Sequence, residues 1–175
     1  SFTPVGPRFT EVMERVEHLT YFGFLIEDTS RGRVTLAPGG LPVMTYFMND
    51  HDVSKLKRGV DILSQVYLAA GAEGIFPMLP GFEEIHDMRD VERMRRTKLH
   101  ARDFELTAHH PLGTCRMGLD PRSSVVGPDH QCHDVPNLFI ADGSSVPSSL
   151  GVNPQITIMA LATRAAAFVA RAVEE

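Results

Sequence analysis

From position 109 the chain has long stretches without helical or strand period, yet it keeps apolar anchors throughout. Unstructured stretches beyond about 15 residues are uncommon inside a folded domain, and they are functional or disordered. Disorder needs high charge and few apolar groups, and this stretch has neither. Gly, Pro, His and Ser crowd it instead. The chemistry of the chain is therefore expected in this region.

What precedes reads as strands and then helices. Residues 21–27 are aromatic and β-branched, 33–37 alternate polar and apolar, and 42–48 form a further short run. Turn residues at 28–32 and at Pro38-Gly39-Gly40 separate them, which predicts a three-stranded antiparallel meander. A helix is expected over 52–70, with Leu56, Val60, Leu63, Tyr67 and Ala70 on one face packed against that sheet. Asn49 and Asp50 suit its start and Gly71 its end. Gly59 in its interior costs about 1 kcal/mol against Ala, so a close neighbour is expected there. Residues 77–90 read as a loop. In 91–100, Arg93, Arg95, Arg96 and Lys98 read better as a solvated helix face than as a phosphate grip. After the irregular region, residues 137–141 form a compact apolar strand. Asn153 and Pro154 then open a final helix with Ile158, Leu161, Ala162, Ala165, Phe168 and Val169 on its buried side.

Composition narrows the function classes. The 175 residues are 43% hydrophobic and 22% charged, which is globular material for one domain or two small ones. Lys and Arg number 17 against 22 acids, for a net charge of −5, so no nucleic-acid partner is expected. No uninterrupted apolar run approaches the ~18 residues that span a bilayer, and no transmembrane segment is expected. The chain opens at Ser1 rather than Met, with no basic-then-apolar leader, and is expected to be a fragment, a processed chain or a deliberately trimmed piece. Cys115 and Cys132 are too few for a disulfide scaffold, and they suit a reducing, cytoplasmic compartment. Cys132 beside His133 has the wrong spacing for a zinc site, so no metal is expected.

Three clusters carry possible chemistry. In His109-His110-Pro111-Leu112-Gly113-Thr114-Cys115 a neutral imidazole is suited to taking a proton near neutrality, and Pro111 stiffens its backbone. Asp142-Gly143 ends an apolar strand, where open α/β sheets bind ligands and where Gly permits close backbone approach. Gly151-Val152-Asn153-Pro154-Gln155 reads as a helix cap and first turn, whose positive dipole end favours an anion. Each also has a plain structural reading as core, turn or cap. There is no G-x-G-x-x-G, no phosphate-binding G-x-x-x-x-G-K-[ST] and no G-x-S-x-G.

Three further runs complete a pattern: Arg116-Met117-Gly118, then Val135-Pro136-Asn137-Leu138-Phe139-Ile140-Ala141-Asp142-Gly143-Ser144, then Thr157-Ile158-Met159-Ala160-Leu161-Ala162. With the His109 cluster, Val125-Val126 and the 151–157 segment, this order resembles the C-terminal portion of the glucose–methanol–choline oxidoreductases. These are flavin enzymes that oxidise alcohols. Gly32-Arg33-Val34 and Ala69-Ala70-Gly71-Ala72-Glu73 are similar to members acting on long-chain alcohols or sterols.

The resemblance implies an α+β fold. A substrate-side sheet and helix domain would span 1–108. A catalytic, FAD-contacting segment would span 109–175, with the last strand and helix of a Rossmann-like domain. It implies His110 as the base that takes the alcohol proton and Asn153 as the second catalytic residue, donating to the developing alkoxide, while hydride passes to flavin N5. Asp142, Gly143, Asn153, Pro154 and Gln155 would contact FAD. The N-terminal FAD-binding half would have to be supplied in cis or by a second chain, and this chain alone would bind FAD poorly. Three other readings remain: a non-redox lyase on the same scaffold, a non-catalytic binding module, and a metal protein built on His130, Cys132 and His133.

Overall fold

The computed structural model describes residues 6–174, so Ser1 lies outside the described residues. Two compact units emerge. One holds the described residues up to Ile26 together with Met48–Leu106, and the other holds Glu27–Phe47 and the described residues from Thr107 onward.

The first unit is helical. Helix α1 spans Pro7–Glu14, with Pro7 in its first turn, where a missing N–H costs nothing. Helix α2 spans Asp50–Ala69. Asn49 caps it by accepting the Asp52 N–H at 2.9 Å, and Gly71 follows the Ala70 cap as expected. Helix α3 spans Met88–Arg96 and starts earlier than the basic run suggests, because Asp87 accepts the N–H groups of Arg89 and Asp90.

Polar contacts hold α2 and α3 together. Asp61, buried on α2, takes Arg95 Nε at 3.0 Å and Nη2 at 2.7 Å, and Arg58 at 2.9 Å. Lys57 donates to the Arg95 and Thr97 carbonyls at 2.6 and 2.7 Å, satisfying the open end of α3. Arg93 lies over the Phe82 ring and bonds Asp90, while Arg96 bonds Glu92. Arg93 and Arg96 stay largely exposed, as a solvated face expects, whereas Arg95 is turned onto the buried Asp61. The loop before α3 is clipped by paired bonds between Ile75 and Ile85, and its Leu79 and Phe82 pack with Met94 in the core.

The expected strand over 21–27 is corrected: these residues belong to no strand. A strand needs a ladder partner, and here the side chains find a helix instead. Phe22 meets Tyr67 edge-on at 5.8 Å. The Phe24 ring lies where a Cβ of Gly59 would be. That is the close neighbour expected at Gly59, and α2 packs on α3 and this segment rather than on a sheet.

In the second unit β1 (Arg31–Leu36) and β2 (Pro42–Phe47) form a two-stranded antiparallel hairpin, in register from Arg31↔Phe47 to Leu36↔Pro42. All twelve of its residues are exposed. Residues 137–141 are not a regular strand. They make bridge-type contacts, with Cys132 N–H donating to Leu138 and Ile140 N–H to His130, and Asn137 sits at φ +62°. The described residues thus show mixed helix and a small antiparallel sheet, without a Rossmann-like layer. Helix α4 spans Gln155–Glu174. By length and composition alone it is apolar enough to cross a bilayer, which no uninterrupted apolar run in the sequence suggests. Uninterrupted runs missed this because Arg164 and Arg171 divide an otherwise apolar helix.

Candidate functional site

The site is built in the second unit from three segments that meet at Gly143. Asp142 caps the short turn Gly143–Ser145, its carboxylate accepting the Ser144 N–H at 2.8 Å and also the Ser144 hydroxyl. The segment after His110 runs beside this turn. Cys115 N–H reaches the Ser144 carbonyl and Met117 N–H the Ser145 carbonyl, both at 2.9 Å. The third segment is the start of α4.

Gly143 is the point of closest approach. A Cβ there would lie 3.0 Å from Ile158 Cδ1 and 3.1 Å from Leu112 Cδ2. Leu112 is two residues beyond His110, and Ile158 is five beyond Asn153. The two segments carrying the candidate pair are thus brought to one place. The direction a side chain would take at Gly143 points at Leu112 and Ile158, so close packing of these two is one reason for a glycine here.

His110 and Asn153 are both exposed, and neither side chain bonds any described residue. The cap expected at Asn153 is displaced by one residue. The buried Pro154 supplies the carbonyl that accepts the first helical bond, from Ile158 at 2.9 Å. The Asn153 carboxamide is thereby left available. The N–H groups of Gln155, Ile156 and Thr157 likewise find no acceptor among the described residues. These donors sit at the positive end of a 20-residue helix. That donor set fits one electron-rich edge of a flavin. The Asp142 carboxylate is exposed, and both of its bonds from Ser144 fall on one oxygen.

The sequence offers His130 only as a metal ligand, and the structure gives it another place. His130 is fully buried, with Nδ1 3.2 Å from the Ile140 carbonyl and Nε2 3.2 Å from Arg164 Nη1. Both ring nitrogens are occupied, so it has nothing left for a metal. Among the described residues no three His, Cys, Asp or Glu groups cluster to hold one. His133 is turned to Ser124 and Gly118, and Cys115 and Cys132 are free thiols. An open hollow of about 520 Å³ lies between residues 127–133 and the Arg164–Phe168 face of α4, away from His110 and Asn153 in its lining.

The chain matches the family profile described as GMC oxidoreductase over residues 28–162. It is 34% identical over 148 residues to an uncharacterized GMC-type oxidoreductase of Sinorhizobium fredii, covering 84% of this chain and 29% of that protein. It is 33% identical over 125 residues to a long-chain-alcohol oxidase of Arabidopsis thaliana, covering 67% of this chain and 17% of that protein. A 2-methyl-1,2-propanediol dehydrogenase of Mycolicibacterium austroafricanum is 53% identical over 62 residues, which is 35% of this chain and 11% of that protein. The chain therefore spans less than a third of the length of these relatives. The profile match covers most of the chain and takes in residues 110–155, and on that ground the chain belongs to the GMC oxidoreductase family, as its C-terminal portion.

Proposed function

We propose that this chain is the C-terminal part of an FAD-dependent oxidoreductase acting on alcohols, completed by an N-terminal FAD-binding portion in cis or as a second chain. The observation that carries this reading is the convergence of the His110 and Asn153 segments on Gly143, with both side chains exposed and unbonded. When bound, FAD supplies the acceptor for a hydride from the alcohol carbon.

The chain's own residues do the rest. His110 takes the hydroxyl proton, which makes the carbon a better hydride donor. The Asn153 amide donates to the oxygen as negative charge grows on it. The unpaired N–H groups of Gln155, Ile156 and Thr157 present about half a positive charge to the electron-rich edge of the cofactor. Asp142 and Gly143 line its sugar-phosphate side, and Pro154 holds the helix start in place. The alcohols taken by the named relatives, a long-chain alcohol and a branched diol, set the substrate class to try first. The free thiols support a cytoplasmic setting.

The test is anaerobic mixing of the flavin-loaded full-length polypeptide with 1-dodecanol or 2-methyl-1,2-propanediol. The flavin is expected to bleach. His110→Ala is expected to slow bleaching by about a hundredfold or more at unchanged flavin content. Near-normal bleaching in the variant removes the role of His110, and turnover without bleaching favours a lyase. Asn153→Ala is expected to slow bleaching more than it weakens flavin binding.

A further inference from the structure

His130 is fully buried in the second unit, and its ring is held at both nitrogens. Arg164 can only donate, so His130 Nε2 must be the acceptor of their 3.2 Å contact. The proton of the neutral ring is then on Nδ1, which donates to the Ile140 carbonyl at 3.2 Å. The backbone is held as well: His130 N–H reaches Gly127 at 2.9 Å, and its carbonyl takes the Ile140 N–H at 3.0 Å. Arg164 is steadied in turn by the face of Phe168, one helical turn on, at 5.2 Å. One buried imidazole thus ties the segment leading into Asp142-Gly143 to the helix that begins beyond Asn153.

We propose that His130 is a positioning residue for the reaction: through Arg164 it fixes where α4, and with it Asn153, stands relative to the turn at Gly143 and the His110 segment. This rests on the proposed roles of His110 and Asn153. The geometry favours a positioning role over mere core filling. A filler would leave both nitrogens a choice of partner, whereas a guanidinium on one side dictates a single tautomer. Small displacements of reacting groups are costly, about a hundredfold for 1 Å. The chain gives Arg164 no carboxylate among its described partners, so the lone pair of His130 is what orients it.

Two variants of His130 separate its bonds. His130→Asn keeps a donor near Ile140 and loses the acceptor for Arg164. Asn also tolerates the left-handed φ of +68° at this position. His130→Gln places an amide oxygen near the Nε2 position and restores an acceptor. In the flavin-loaded full-length polypeptide, with saturating 1-dodecanol or 2-methyl-1,2-propanediol, His130→Asn and Arg164→Met are each expected to slow bleaching about tenfold. KM and flavin content are expected to hold. The double variant is expected to fall within about twofold of either single one, because both remove the same bond. His130→Gln is expected to recover most of the rate. Additive losses, loss in proportion to flavin, or no recovery with Gln overturns the proposal.

A second readout is independent of turnover. In the polypeptide labelled with 15N-histidine, the signal that vanishes in His130→Asn is expected to be that of a neutral ring protonated at Nδ1, and the Nε2–H pattern overturns the assignment. A wild-type polypeptide that no alcohol bleaches removes the proposed function itself. The tie between His130 and Arg164 then stands or falls on this spectrum alone.

Discussion

The loop at residues 75–85 and helix α4 invert the usual link between regularity and burial. The loop has only isolated bridges, yet Ile85 is 0% exposed and Phe82 4%. Helix α4 is regular for 20 residues, yet only Ala165 is buried, while Ile156 and Val173 stand 82% and 80% exposed. Hydrogen bonds within a helix satisfy its backbone wherever it lies, so regularity says nothing about what covers it. Apolar area removed from water is a separate matter. The loop belongs to a core that the first unit completes from its own residues. Helix α4 and the exposed hairpin present apolar surface that a larger polypeptide is suited to cover, and the matched part of this chain is 29% and 17% of the length of two relatives.

Ile85→Ala is expected to destabilise the first unit by about 3 kcal/mol, the usual cost of emptying a fully buried site. Denaturant unfolding followed by far-UV circular dichroism reads it, and a loss under about 1 kcal/mol would mean the loop is no part of that core.

Next in size is Asp61, whose carboxyl is held below the usual carboxylate range, first by hydrogen bonds from Arg95 against the opposing effect of burial. Its folded-state value is below its unfolded one. The pair therefore stabilises the fold above the ordinary carboxylate range, and this is lost as pH falls through the lowered value. Asp61→Asn is expected to cost about 2 kcal/mol at neutral pH. The gap from wild type should shrink in acid, and unfolding curves that stay equally far apart at pH 7 and pH 3 would exclude the ionised pair as its source.

Gly59→Ala tests a smaller effect of opposite local sign. Helix propensity alone would favour Ala by about 1 kcal/mol. The Phe24 ring occupies the place of the new methyl group, so a net loss of about 1 kcal/mol is expected. In Phe24→Ala the same change at Gly59 is expected to become stabilising. If Gly59→Ala stabilises with Phe24 present, the contact is unimportant.

Gly59 also marks how far the sequence could be read. Local rules worked where a residue answers to its immediate neighbours: Asn49 caps α2, Gly71 ends it, and a glycine inside a helical stripe signals a close contact. They failed where the answer depends on a distant partner. Residues 21–27 have strand composition, but their side chains settle on α2. Residues 137–141 look like a strand, but find only bridges through Gln131 and Cys132. In the site, the motif residues were legible because they stand in linear clusters. The convergence of Leu112, Gly143 and Ile158 was not, and neither was the His130–Arg164 contact across 34 positions of sequence. No local periodicity encodes such a pairing.

The smallest effect bears on the comparison most directly. Val173 is 80% exposed near the end of α4, so Val173→Ser removes almost no buried area from this chain. Ser and Val have similar helix propensities, and the change is expected to stay within about 0.5 kcal/mol here. In the full-length polypeptide a partner covering α4 would bury that side chain, and the same substitution should then cost about 1–2 kcal/mol. The difference between the two measurements isolates what is contributed from outside this chain. Equal and negligible costs would leave this end of α4 exposed in the complete protein too. The contrast with the loop at 75–85 would then lie in the helix itself, as an exposed apolar face with no cover from the rest of the polypeptide.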